Sequence, residues 1–370
     1  MTGDRGAGFR RDRPTWLAYL ALCYYAYLQA ALGPAMPFLR ADLRFSVSTA
    51  SLHFAAAAAG GVVVGFAGQG VMRRLGRRNA LWLGMIGMAA GTVLLAAAAS
   101  PVQSIAGAGV SGLLGSFVLM ACQAGLADHH GEARAVAMAE SNMLASGSAV
   151  AAAIFVGLLG GTALGWRAAM LLALPYAAAL ALVFRGSWLR GPARLAATRT
   201  SGRATFPTTF WLVVAVLVCG TAVEWSISYW GADFLVRAHG LTAATGAMAM
   251  SVFFGGMIAG RAIGARLSRS FAPTRLLPAA LIVAIVGFPV LWLAPTGWLA
   301  VAGLAVAGLG VANVYPLAVS AAAAMATGRT DQAIARVAVG AAGAILLAPL
   351  ALGAIASEFG LATTFGLGLP

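Results

Sequence analysis

Apolar runs of about 20 residues, separated by short polar breaks, recur along the whole chain. They cover 15–37, 48–71, 80–99, 102–126, 136–160, 167–186, 210–235, 242–265, 276–294, 298–325 and 333–356, and a twelfth begins near 361. A helix rising 1.5 Å per residue needs roughly 20 apolar residues to cross a hydrocarbon layer of about 30 Å, so each run predicts a membrane-spanning helix. The first-half counterpart of the twelfth run continues to about 186, so the last span is expected to be cut to roughly half its length.

The pattern also repeats at a larger scale. GGVVVGFAGQGVMRRLGRR at 60–78 returns 195 residues later as GGMIAGRAIGARLSR, with Gly255, Gly256 and Gly260 on Gly60, Gly61 and Gly65. Gly61 and Gly65, like Gly256 and Gly260, form a GxxxG step inside an apolar run, the spacing that lets two helix backbones approach in lipid. GWRAAMLLALP at 165–175 stands at the same offset from GLATTFGLGLP at 360–370. Two parallel repeats are the ground plan of one large class of transporter.

Composition narrows this further. The chain is 61% hydrophobic and 9% charged, with a mean hydropathy of +0.88, whereas soluble domains carry about 25% charged residues. The net charge of +14 comes from 24 basic residues, all of them arginine. They sit in connections between apolar runs, with no basic-aromatic module, so they are read as positive-inside topology and not as nucleic-acid binding. The N-terminal tail and the even-numbered connections carry eighteen of them, among them Arg73, Arg74, Arg77 and Arg78; the odd-numbered connections carry only Arg40, Arg44, Arg167 and Arg237. The N-terminus is therefore expected in the cytoplasm of a multi-pass protein of the inner (plasma) membrane. Cys23, Cys122 and Cys219 lie in or at the end of apolar runs without metal-like spacing and read as buried thiols.

The chain resembles the major facilitator superfamily over almost its whole length. RRLGRR after the second run, GLLGG and GWR between 157 and 167, GRAIGARLSR after the eighth and GLGVANVYPLA at 308–318 carry the likeness, as does ADHHGEARAVAMAESN at 127–142. The resemblance implies an all-α polytopic membrane protein: residues 1–186 as a six-helix bundle, 187–209 as a cytoplasmic linker, and 210–370 as a second bundle with an incomplete last helix. It also implies a central cavity opened to either side by rocking of the bundles. Two motifs depart from the family pattern. Arg73 stands where the loop motif has an acidic residue, although Gly76, Arg77 and Arg78 are intact, and the fifth run has the glycines but not the proline of the antiporter motif. Gly61, Gly65, Arg73, Gly76, Arg77, Gly256, Gly260 and Arg261 are the candidate gate residues, with Arg261 a candidate latch.

An ionisable side chain near the middle of a span costs about 2.5–3.5 kcal/mol, so its presence there points to function. Glu224 lies about fourteen residues into the seventh run, roughly 21 Å along a helix. Gly220, Glu224, Ser228 and Gly231 share one face. Glu224 is the first candidate for proton coupling and Glu140, nearer the cytoplasmic end, is the second. Asp233 is expected to be solvated, and His53 to sit at an interface. Tyr25 with Gln29, Ser116 with Met120 and Gln123, Asn142 with Ser146, Trp225 with Tyr229, and Asn313 with Ser320 align on helix faces, while Tyr315 and Pro316 mark a bend. Each pair alone reads as helix packing. Together they predict a mixed aromatic and polar pocket for a neutral or amphipathic solute.

Other motifs carry no function. GxGxxG at 107–112 lies inside an apolar run without a preceding strand, and no GxxxxGK[ST] is present. Asp128, His129, His130 and Glu132 are adjacent in sequence and read as a solvated loop, so no metal or other cofactor is expected. No nucleophile–base constellation suggests an enzyme. The expected function is proton-coupled secondary transport of a small organic solute by a monomer. The alternative is a transport-inactive homologue acting as a sensor or assembly partner.

Overall fold

A computed structural model describes residues 9–188, 206–326 and 329–367, and among these residues all regular structure is helical. The helices are α1 (Arg13–Leu43), α2 (Val47–Leu75), α3 (Arg77–Ala96), α4 (Pro101–His130) and α5 (Arg134–Gly160), followed by the short pair α6 (Gly165–Leu171) and α7 (Ala173–Val183). The second half comprises α8 (Thr208–His239), α9 (Ala243–Leu267), α10 (Pro273–Trp292), α11 (Gly297–Val311), α12 (Val314–Ala324), α13 (Thr330–Phe359) and α14 (Leu361–Leu367). Most of the predicted linker lies outside the described residues.

Polar residues at the breaks start and stop these helices. The side chains of Asp12, Ser46, Ser100, Thr242 and Thr296 accept from the backbone N–H three residues on, capping α1, α2, α4, α9 and α11. Gly76, Gly240 and Gly360 end α2, α8 and α13 with φ of 78°, 66° and 80°, a region an L side chain rarely enters.

Nine helical stretches of the described residues are long and apolar enough to cross a membrane. One of them, Pro101–Gly160, is divided into α4 and α5 by the 3-10 turn at Gly131–Ala133. α1 is outside that set because its tyrosines, Gln29 and two internal prolines dilute its hydropathy. Two predicted spans are each broken in two. The sixth divides at Leu172 into α6 and α7, and the tenth at Ala312 and Asn313 into α11 and α12. Both breaks lie just upstream of a proline, Pro175 or Pro316, whose ring crowds the carbonyl four residues back and leaves it no N–H to accept.

The repeated glycines do not repeat their contacts. A Cβ on Gly256 or Gly260 would strike the backbone of Ala305 or Leu309, so α9 and α11 cross there with their backbones nearly touching. In the first copy that role passes to Gly60, packed on Gly112 and Leu113 of α4. Gly65 has nothing within 4 Å of its Cβ position, and Gly61 has only the Ser116 hydroxyl at 3.4 Å. The close packing expected of Gly61 and Gly65 therefore belongs to a neighbour one residue away, about 100° around the helix.

The two halves meet at the end away from the arginine clusters. There α1 packs on α8 at Gly33 against Ser228 and Tyr229, α5 on α9 at Gly157 against Ala244 and Met248, and α13 on α2 at Gly353 against Ser51. Phe54 and Tyr229 stack across this junction at 4.4 Å, and Trp230 Nε1 donates to the Pro349 carbonyl at 3.0 Å.

Candidate functional site

Below this junction the helices part around a cavity of about 280 Å³. It is walled by Tyr25 and Gln29 from α1, Asn142 and Ser146 from α5, Glu224, Trp225, Ser228 and Tyr229 from α8, and Arg261 from α9. Nine side chains singled out in the sequence thus face one space. Phe254 and Met257 also line it and were not anticipated. Their spacing to Arg261, seven and four residues on one helix, is the signal that would have grouped them.

The polar groups of this wall are tied in from both halves. Gln29 Nε2 donates to the Tyr229 hydroxyl at 3.1 Å, and the Ser228 hydroxyl donates to the Glu224 carbonyl at 2.7 Å. Arg261 Nη1 donates to Ser146 Oγ at 2.8 Å, and that hydroxyl donates in turn to the Asn142 carbonyl at 2.8 Å. Glu224 Oε1 lies 3.9 Å from Arg261 Nη2, beyond the roughly 2.7–2.9 Å of a charged hydrogen bond. A second cavity of about 340 Å³ adjoins the first and shares Tyr25, Gln29 and Trp225. Gly61, Gly65, Ser116, Met120 and Gln123 form its first-half wall, and Ala342 and Ile345 of α13 face them.

Other candidates lie elsewhere. Asn313 turns away from the cavities and donates through Nδ2 to the Gly260 carbonyl at 2.6 Å, where it fits against Gly264. Tyr315 is half-exposed near the start of α12. Glu140 accepts from Arg11 Nε at 2.8 Å and from the Tyr19 hydroxyl at 3.1 Å, pinning the N-terminal segment to α5. Arg73 is exposed, whereas Arg77, next to the positive-φ Gly76, pairs with Asp128 of α4 at 2.7 Å. The acidic partner missing from the loop motif is thus supplied by another helix.

Cys219 is exposed, not the buried thiol expected of it, and three further expectations need correction. Asp128, His129 and His130 are not a solvated loop but the last turn of α4, where His129 reaches Asp12 at 2.8 Å and His130 reaches Thr15 at 2.9 Å. His53 is fully buried, bonded through Nε2 to Ser104 Oγ at 2.7 Å and stacked on Phe45. It fastens α2 to α4. Asp233 is not solvated either: its side chain is 4% exposed and pairs with Arg40 across the two halves and with Arg237 at 3.2 Å. Arg40, predicted in a connection, lies inside α1 at 7% exposure, with Nε buried and unbonded. A charge pair hidden between halves leaves no periodic signature, because each partner lies near its helix end and finds the other only in three dimensions.

Ahead of α1, burial pushes the Asp12 carboxyl up, but the hydroxyl and amide of Thr15 and the ring of His129 bond to it and bring it below the ordinary carboxylate range.

Comparison with known proteins places this geometry. A search of curated proteins finds no match for the chain. Among solved structures, a bacterial homologue of the human lysosomal transporter Spinster, in an inward-facing and unoccupied conformation, shares the fold with a TM-score of 0.76 at 15% identity, covering 98% of this chain and 93% of that one. The nucleoside transporter NupG aligns with a TM-score of 0.74 at 12% identity over 95% of each chain. The xylose transporter XylE from E. coli aligns at 0.71 and 12% identity, over 96% of this chain and 94% of its own. Residues 18–302 match the family model of the Major Facilitator Superfamily. The chain belongs to that superfamily and is a multi-pass membrane transporter, not an enzyme.

Proposed function

We propose that this protein moves a small organic solute across the inner membrane by alternating access, with movement coupled to protons through Glu224. The observation that carries the reading is a cavity walled by both halves, closed at one end by packed backbones, with Glu224 and Arg261 facing into it. Its volume of about 280 Å³ lies at the small end of ligand pockets, which run from about 300 to 1,000 Å³. The arginine-rich end is cytoplasmic under the positive-inside rule, with the N-terminus inside, so this conformation faces inward. Residues 1–186 and 210–370 move as the two rocking bodies, 187–209 links them, and a single chain suffices because it supplies every wall of the cavity.

In this scheme Glu224 alternates between a bound proton and the ligands of the cavity. Arg261 and Ser146 latch α9 to α5 around the solute, and Gly256 and Gly260 let α9 and α11 move as one. Arg77 and Gly76 close the opposite end in the outward state. Purified protein in liposomes, assayed with and without a pH gradient, tests this. Glu224→Gln is expected to abolish gradient-driven flux while leaving the protein folded. Unchanged gradient-driven uptake by this variant removes the coupling assignment, and binding without flux in the unmodified protein favours the sensor alternative.

A further inference from the structure

We propose that the transported solute is zwitterionic, carrying an ammonium and a carboxylate on the same carbon together with an apolar or aromatic side group. The inference rests on reading this cavity as the transport site and adds the chemical class of its ligand.

The wall holds one acid and one base, and they form only a loose ion pair with no direct hydrogen bond between them. Glu224 Oε1 and Arg261 Nη2 stand 3.9 Å apart. Arg261 is held off by its bond to Ser146 on the opposite half. Both side chains face the cavity. An unpaired carboxylate alone would select a cation, and an unpaired guanidinium alone an anion. Here either choice brings a like charge within reach of the other wall group, and like-charge juxtaposition disfavours such a partner. A ligand carrying both signs escapes that penalty. Its ammonium meets Glu224, its carboxylate meets Arg261, and the four groups close a quadrilateral of alternating charge.

The remainder of the wall fits the rest of such a molecule. Trp225, Tyr229 and Tyr25 present rings, with Trp225 and Tyr229 at 5.3 Å between centroids. Aromatic faces take up an apolar side group and also favour an ammonium held over them. A volume of about 280 Å³ exceeds the roughly 150 Å³ that holds benzene, which leaves room for one ring and a short charged head. Proton and ammonium then compete for the same carboxylate, which joins solute binding to the proposed coupling without a second acidic site.

The test uses four probes on one skeleton: phenylalanine, 2-phenylethylamine, 3-phenylpropionate and 3-phenylpropan-1-ol, with leucine as an aliphatic zwitterion. Binding to the purified full chain is read by isothermal titration and by ligand-induced thermal shift. At least one of the two zwitterions is expected to bind ten-fold or more tightly than every singly charged or neutral probe. Glu224→Gln and Arg261→Gln, each checked for an unchanged unfolding profile, are expected to erase that advantage. The probe series on the unmodified protein decides the matter even if a variant fails to fold. Equal or tighter binding of the amine, the acid or the alcohol overturns the proposal, as does failure of both zwitterions to bind. The two readings also fail separately. A zwitterion that binds without flux in liposomes keeps the ligand class and removes transport, whereas flux of a singly charged solute keeps transport and removes the class.

Discussion

The two ends of the molecule are built from the same kind of helix and behave in opposite ways. At the sealed end, Gly33, Gly157 and Gly353 bring backbones from the two halves together with no space for a methyl group. Below it, along the helices that wall the second cavity and open toward the arginine-rich end, Gly65 and Gly343 have nothing within 4 Å of their Cβ positions. Charge follows the same division. Arg40 and Asp233 pair across the halves in near-complete burial, whereas Arg77–Asp128 and Arg11–Glu140 each stay within the first half and keep more contact with water. One end is thus a contact between bodies and the other a set of contacts within a body. Alternating access requires these roles to be exchanged.

The sharpest way to break the comparison is at Arg40. Arg40→Met leaves Asp233 buried with only Arg237, and removing one partner of a buried pair typically costs about 3–5 kcal/mol. Thermal unfolding and the reactivity of a cysteine placed at the sealed end should both report loosening. Arg40→Met combined with Asp233→Leu should recover most of the loss, and a double variant as unstable as the single would show that charge is not what holds this end.

Gly33→Val attacks the same end through volume. The added carbons meet the Ser228 carbonyl, and overpacking costs about 1–3 kcal/mol. Gly65→Val, in open space, should leave the unfolding temperature of this conformation unchanged. Equal effects at the two glycines would remove the distinction between sealed and open ends.

Smaller effects belong to the arginine-rich end. Asp128→Asn weakens the pair with Arg77, and loss of a hydrogen bond to a charged group costs about 1.5 kcal/mol. Because the pair joins α2–α3 to α4 within one half, unfolding should shift while binding in the central cavity does not. Asp12→Ala removes the cap of α1, worth about 1 kcal/mol. The folded state holds the Asp12 carboxyl below its ordinary range. Its contribution is therefore complete above that range and fades as pH falls through the lowered value. Asp12→Asn should keep the cap and lose this acid-dependent fraction, as measured by unfolding temperature against pH.

How far the sequence reached can be seen residue by residue. Glu224 stood out because a carboxyl in the middle of an apolar run is costly anywhere but in a cavity or beside a partner. Tyr25 with Gln29 and Trp225 with Tyr229 were grouped by helical spacing, and each pair does share a wall. Asn313 had the same credentials and bonds to Gly260 instead, since spacing assigns a face but not the neighbour it meets. Pro316 announced the break in the tenth span. Pro175 marked an equal break in the sixth, but its run reads as continuous because apolar residues flank it on both sides.

The sequence by itself marked out the apolar helical runs and their rough limits, their duplication at 195 residues and the connections that carry positive charge. These follow from local rules, because a lipid layer imposes length and hydropathy on each segment independently. Only the tertiary structure decided which repeated glycine touches a neighbour, that Arg40 finds Asp233, and that Glu224 and Arg261 share a wall without closing on each other. Those outcomes depend on rotations of about 100° per residue and on helices distant in sequence. One residue of shift moves a side chain from a packed seam to an open cavity.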